Sequence, residues 1–79
     1  ELELHGLYVD EALYRLDQFL NDAVTAGLPW VRIVHGKGTG ALRQAVRDAL
    51  RRHPLVKSFR PGLYGEGGDG VTVVQLQEP

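Results

Sequence analysis

The sequence has no cysteine, no methionine, one asparagine and only two lysines among its 79 residues. Without cysteine there can be no disulfide, no thiol nucleophile and no cysteine-ligated zinc. No apolar run approaches the ~20 residues of a membrane span, and no charged-then-apolar leader opens the chain. Proline is sparse and low-complexity tracts are absent. These features read as one small, globular, soluble domain, near the size at which a single core gives modest stability. Strand-like sequence begins at once, without an initiator methionine, which reads as a domain excised from a longer protein of cytoplasmic origin.

Charge is unevenly spread behind the net value of −1. Residues 1–30 carry six acidic side chains against Arg15, whereas residues 31–60 carry eight basic side chains against Asp48. A basic middle third points to a polyanion partner, nucleic acid first. The plainer reading is a solvated helix face.

Within that third lies Val31-Arg32-Ile33-Val34 followed by His35-Gly36-Lys37-Gly38-Thr39-Gly40 and a helical pattern from Ala41. This is the order strand, tight loop, helix. Alternating glycines let the backbone approach a ligand closely, and the helix start adds unpaired N–H groups and a positive dipole end. His35 and Lys37 supply groups that transfer protons or hold an anion. The spacing is neither a Walker A loop nor a dinucleotide fingerprint.

Along the chain, Leu2-Glu3-Leu4-His5 alternates as a short strand, with Glu3 and His5 on one side. A carboxylate so placed can orient an imidazole or raise its pKa. Leu13, Leu16, Leu20 and Val24 recur at helical spacing from an N-cap at Asp10 to a C′ glycine at Gly27. Trp30, at the start of the second strand, reads as a cover for the core edge or as a platform for a base. Leu42, Val46, Ala49 and Leu50 form the inner stripe of a second helix capped by Thr39 or Gly40, with Arg43 and Arg47 outside it. Arg51, Arg52 and His53 read as ordinary residues of the helix end. Leu55–Arg60 and Val71–Leu76 are two further strands, mutually antiparallel, around a glycine-rich loop.

The order βαβαββ predicts an α/β two-layer sandwich, a four-stranded mixed sheet with both helices on one face. Right-handed crossovers make the first three strands parallel neighbours. Their C-terminal ends then gather Glu3-His5, the His35–Gly40 loop and the Arg60–Gly70 loop on one rim, where open α/β sheets bind ligands.

Leu-Glu-Leu-His-Gly, then His-Gly-Lys-Gly-Thr-Gly with Leu42-Arg43, then Gly-Glu-Gly-Gly-Asp-Gly-Val-Thr-Val-Val resemble the three motifs of the Smr (small MutS-related) domain. The resemblance spans nearly the whole chain and is nearest to the C-terminal Smr domain of the second-type bacterial MutS paralogues. Glu3 stands where that family usually has Asp. The resemblance implies residues 1–79 as a single Smr domain with a fold like the C-terminal domain of bacterial translation initiation factor three. It also implies nucleic-acid binding and nicking endonuclease activity on branched or duplex DNA or on RNA. The parent proteins dimerise and are linked to suppression of homologous recombination and to stalled ribosomes. Carried over position by position, Glu3, His5, His35 and Lys37 form the catalytic set. Gly36, Gly38, Thr39, Gly40, Arg43, Arg47, Lys57, Arg60, Gly65 and Gly67 form the phosphate-binding set.

On RNA a 2′-hydroxyl can attack without a metal. On DNA water must attack, and a divalent ion such as Mg²⁺ or Mn²⁺ would help. One Glu and two His are too few ligands for a metal site of their own. Two other readings are a nucleic-acid or ribosome-binding module without chemistry, and a protein-interaction adaptor using Tyr8, Trp30 or Leu63.

Overall fold

In the computed structural model, which describes residues 1–78, two helices cover one face of a four-stranded sheet. The elements are β1 (Leu2–Glu3), α1 (Val9–Thr25), β2 (Trp30–Val34), α2 (Ala41–Arg52), β3 (Val56–Pro61) and β4 (Val71–Leu76). A single 3₁₀ turn, Gly68–Gly70, leads into β4.

Helix α1 starts one residue before the predicted cap. Tyr8 occupies the N-cap position, and the Asp10 carboxylate instead accepts the N–H of Glu11 at 3.0 Å. Its other end follows the sequence reading. Gly27 adopts φ +78°, the N–H of Leu28 donates to Ala23 O at 3.0 Å, and that of Gly27 donates to Val24 O at 2.9 Å. This is a Schellman close, which needs a left-handed residue at C′. At the end of α2, His53 Nδ1 accepts the N–H of Leu55, leaving Nε2–H to donate to Asp17 at 2.8 Å. The imidazole therefore pins the end of α2 to α1. Leu16, Leu20, Val46 and Leu50 from the helices bury against Ile33, Val31, Val74 and Leu76 of the sheet.

Strand order is β1-β2-β4-β3, with β1 and β2 parallel and β4 antiparallel to both β2 and β3. The first three strands do run in one direction, and the fourth is antiparallel to the third, as predicted. They are not all neighbours, however. The last strand inserts between the second and third, because its inward and outward positions are both apolar and become buried only at the sheet centre. Val71, Val73, Val74 and Leu76 are all buried. In β3, an irregularity between Val56 and Ser58 breaks the strand's alternation, so that both Val56 and Phe59 pack on the core.

Candidate functional site

The C-terminal ends of β1 and β2 open into a groove between the starts of the two helices. It has a volume of about 400 Å³ and is lined by His5, Lys37 and Thr39, by Tyr8 and Val9 from α1, and by Ala41 and Leu42 from α2. Gly40 is the N-cap of α2 at φ +88°, and no side chain caps the helix. Thr39 Oγ1 reaches the Ala41 N–H at only 3.4 Å. Among the described residues, the amides of Leu42 and Arg43 have no acceptor, and no carboxylate pairs with Lys37 or Arg43. Unpaired amides, a positive helix end and two free cations together give this corner a positive potential.

The glycine loop is pinned from beneath. The N–H groups of His35 and Gly36 both donate to the Gly70 carbonyl, at 3.1 and 3.0 Å, and Gly40 N–H closes the loop onto Lys37 O at 3.0 Å. Gly36 has φ +80°, and a Cβ there would collide with Cδ2 of His5 and stand 3.1 Å from its Nε2. The bare backbone at Gly36 is therefore the wall on which the His5 ring lies.

The two rim histidines are not equivalent. His5 is exposed in the groove, whereas His35 is 3% exposed and both of its ring nitrogens are engaged. Its Nδ1 lies 2.8 Å from the Gly36 carbonyl, which can only accept, so Nδ1–H donates. Nε2 then accepts from the Thr72 hydroxyl at 2.8 Å. The same hydroxyl oxygen accepts from Arg47 Nε at 3.4 Å. A hydrogen-bond chain thus runs from α2 through β4 to the glycine loop.

Burial is the largest influence on His35 and holds its pKa below the ordinary 6.5; the Gly36 bond opposes this, while the Arg47 and Arg43 charges add to it. Since the folded value is the lower one, the unfolded chain protonates first as pH falls. The stability His35 contributes is complete above the unfolded value and is lost as pH falls through the lowered folded one. Urea midpoints measured between about pH 7.5 and 5 should therefore fall in the wild type. They should fall less steeply in His35→Gln. Parallel profiles would refute this account.

The structure brings His5, His35, Gly36, Lys37, Gly38, Thr39 and Gly40 to one rim, with the Arg43 guanidinium folded over Gly40. Glu3 is nearby, but its carboxylate accepts the backbone N–H of His5 at 2.8 Å and makes no hydrogen bond to the imidazole. Arg47 lies behind the site, bonded to Thr72. Lys57 borders a separate cavity with Gly27, Pro29 and Gln75, away from the rim. Arg60 faces the uncovered side of the sheet, paired with Glu66 at 2.7 Å. Gly65 and Gly67 flank that glutamate rather than the groove.

Sequence reasoning missed Thr72, the polar partner of the buried imidazole. Its signal was a lone threonine in a valine run. Of the donors a divalent ion would use, Glu3 holds the main chain and both His35 nitrogens are taken; no three His, Asp or Glu converge among the described residues. This donor set does not fit a resident metal ion.

Fold and rim together define an open α/β sandwich with free helix amides and unpaired cations at the parallel-strand ends. The chain belongs to the Smr domain family, whose model matches residues 2–77. It is 65% identical over 78 residues to Endonuclease MutS2 of Symbiobacterium thermophilum, covering 99% of this chain and 10% of that protein. Identity to Endonuclease MutS2 of Thermomicrobium roseum is 64% over 77 residues, 98% of this chain and again 10% of that protein. The chain thus spans about a tenth of the length of these curated relatives. Its fold matches the crystal structure of the Smr domain of Thermus thermophilus MutS2 with a TM-score of 0.94 and 56% identity, covering 96% and 95% of the two chains. YdaL, a stand-alone small MutS-related protein from Escherichia coli, matches with a TM-score of 0.92 and 29% identity over 98% of this chain and 63% of that one.

Proposed function

We propose that this domain binds nucleic acid and cleaves its phosphodiester backbone as an endonuclease. The observation that carries the reading is the groove that holds Lys37, the free α2 amides and the one exposed rim imidazole, His5, with the Arg43 guanidinium folded over Gly40 at its edge. The name these relatives share, Endonuclease MutS2, supports it. Cleavage needs a base for the nucleophile, charge neutralisation at phosphorus and a proton for the leaving oxygen. His5 takes the proton of the attacking hydroxyl, which is the 2′-hydroxyl in RNA and water in DNA. The α2 amides and Arg43 hold the phosphoryl oxygens, and Lys37 stabilises and protonates the departing oxygen as its bond to phosphorus breaks. His35, locked between Gly36 and Thr72, holds the loop in shape. In a MutS2-like parent chain the same chemistry would act on branched or duplex DNA in suppressing homologous recombination, or on RNA at stalled ribosomes.

A second reading has its own observation. Because His35 is sequestered, only one rim histidine remains free, which suits a nucleic-acid-binding module without chemistry. Incubation of the purified chain with supercoiled plasmid and with a structured RNA separates the two. Each substrate is run with EDTA, Mg²⁺ or Mn²⁺, beside His5→Ala. Cleavage that disappears in the variant while a salt-sensitive gel shift persists supports the nuclease. Intact substrate in every lane with the same gel shift leaves only the binding module.

A further inference from the structure

Both helices lie on one face of the sheet, and the opposite face carries no helix. On it, the outward positions of β4 are nearly closed: Val71 is 3% and Val73 6% exposed. Trp30 on the neighbouring strand is 48% exposed. Among the strand residues of this face Trp30 is the large apolar side chain left exposed; Leu63 and Tyr64, 61% and 105% exposed, belong to the loop that carries Glu66.

Beside the indole is a cavity of about 440 Å³, whose other walls are Val73, Arg32, Arg60, Glu1 and Glu66. Its polar groups are already braced. The Glu66 carboxylate accepts both guanidinium nitrogens of Arg60, at 2.7 and 3.1 Å, and the N–H of Leu63 at 2.7 Å. Those bonds, the Arg60 pair first, hold its pKa down at about 2. Arg32 is held between the Glu1 carboxylate and the Glu66 carbonyl. Two guanidinium groups are thus matched by two carboxylates. A phosphate gains little from such a pocket, since the carboxylates repel it. A flat, uncharged ring with donors and acceptors on its edge fits it, with one face on the indole.

We infer that this pocket binds a nucleobase, Trp30 stacking on an unpaired base of the strand whose backbone occupies the rim groove. The inference rests on the nucleic-acid reading above and deepens it. The groove would hold the backbone whatever the sequence, and the sheet face would select strands with an unstacked base to offer. Along the strand axis four residues of β2 separate the two ends, ~13 Å at the usual strand rise, so a short single strand that turns over the sheet edge serves both.

Trp30 is the sole tryptophan, so its emission reports the site directly. The chain is titrated with a short single-stranded oligonucleotide and with an abasic strand of equal length, following tryptophan emission and, separately, anisotropy of labelled strands. Quenching by the base-bearing strand alone is expected. Trp30→Ala should weaken that strand about tenfold or more and leave the abasic strand unchanged, with the salt slope of both preserved. Trp30→Phe, which keeps a ring and the strand's packing, should retain most of the affinity, and circular dichroism confirms that each variant is folded. Binding of both strands with unchanged emission, or equal quenching by both, would overturn the inference while leaving the groove reading intact; the face would then pass to a protein partner. Failure of both strands to bind would overturn the inference, and the plasmid and structured-RNA gel shifts then decide separately whether the nucleic-acid reading stands.

Discussion

Gly36→Ala is expected to lower cleavage about a hundredfold, as removing the His5 imidazole would, by a different route. The residue sits at φ +80°, so any L side chain there costs about 1–2 kcal/mol of stability. That much it shares with Gly6, at φ +83°. The difference lies in space. A Cβ at Gly6 meets nothing within 4 Å, whereas one at Gly36 runs into the His5 ring. The ring must swing off the loop, and a displacement of about 1 Å in a catalytic group is enough to lower rates about a hundredfold. The two alanine variants should therefore lose similar stability in urea titrations, while only Gly36→Ala loses turnover and shifts the His5 ring resonances in an NMR spectrum. Equal turnover in both, or unmoved His5 resonances in Gly36→Ala, would show that the loop does not position His5.

The second large effect is expected at Thr72. Valine has nearly the same shape, so Thr72→Val leaves packing intact but withdraws the hydroxyl that serves His35 Nε2 and Arg47 Nε. A buried group left unsatisfied costs about 1–3 kcal/mol. Against the about 4–12 kcal/mol typical of a domain this size, that loss is large. Arg47 Nη2 is already buried without a partner, so the valine variant would leave a second nitrogen of the same guanidinium unpaired. Thr72→Ser keeps the hydroxyl and should recover most of the loss. Chemical denaturation of the three proteins at neutral pH decides it. A serine variant as unstable as the valine one would mean that the methyl group matters and the hydrogen-bond chain does not.

Element type and order could be read from periodicity, since Leu13, Leu16 and Leu20 at helical spacing and the alternation of Val31 and Ile33 each admit one structure. Strand adjacency could not, because period two reports which face a residue takes and not which strand lies beside it. The clue available was that Val71, Val73 and Val74 leave β4 apolar on both faces, as a central strand must be. Site membership was legible through the glycine spacing and the parallel-strand rule, which bring His5 and the His35–Gly40 loop together. Roles inside the site were less so. Extending the inward alternation of Val31 and Ile33 by two residues buries His35, but nothing in the sequence reveals that Thr72 waits beneath it. Nor does spacing reveal that the Glu3 carboxylate turns to the main chain of His5. The same alternation puts Trp30 on the helix-free face rather than over the core.

The placement of β4 has a consequence for how the domain comes into being. The strand that joins the two halves of the sheet is the last of its four in sequence, so β3 has no partner in the sheet until β4 arrives. Thr72 and the Gly70 carbonyl, which lock His35 and the glycine loop, arrive with it. During synthesis the groove therefore cannot be shaped ahead of the scaffold. A nascent chain that has displayed His5, Lys37 and Arg43 still lacks the arrangement that would make them act, and competence comes in one closing step.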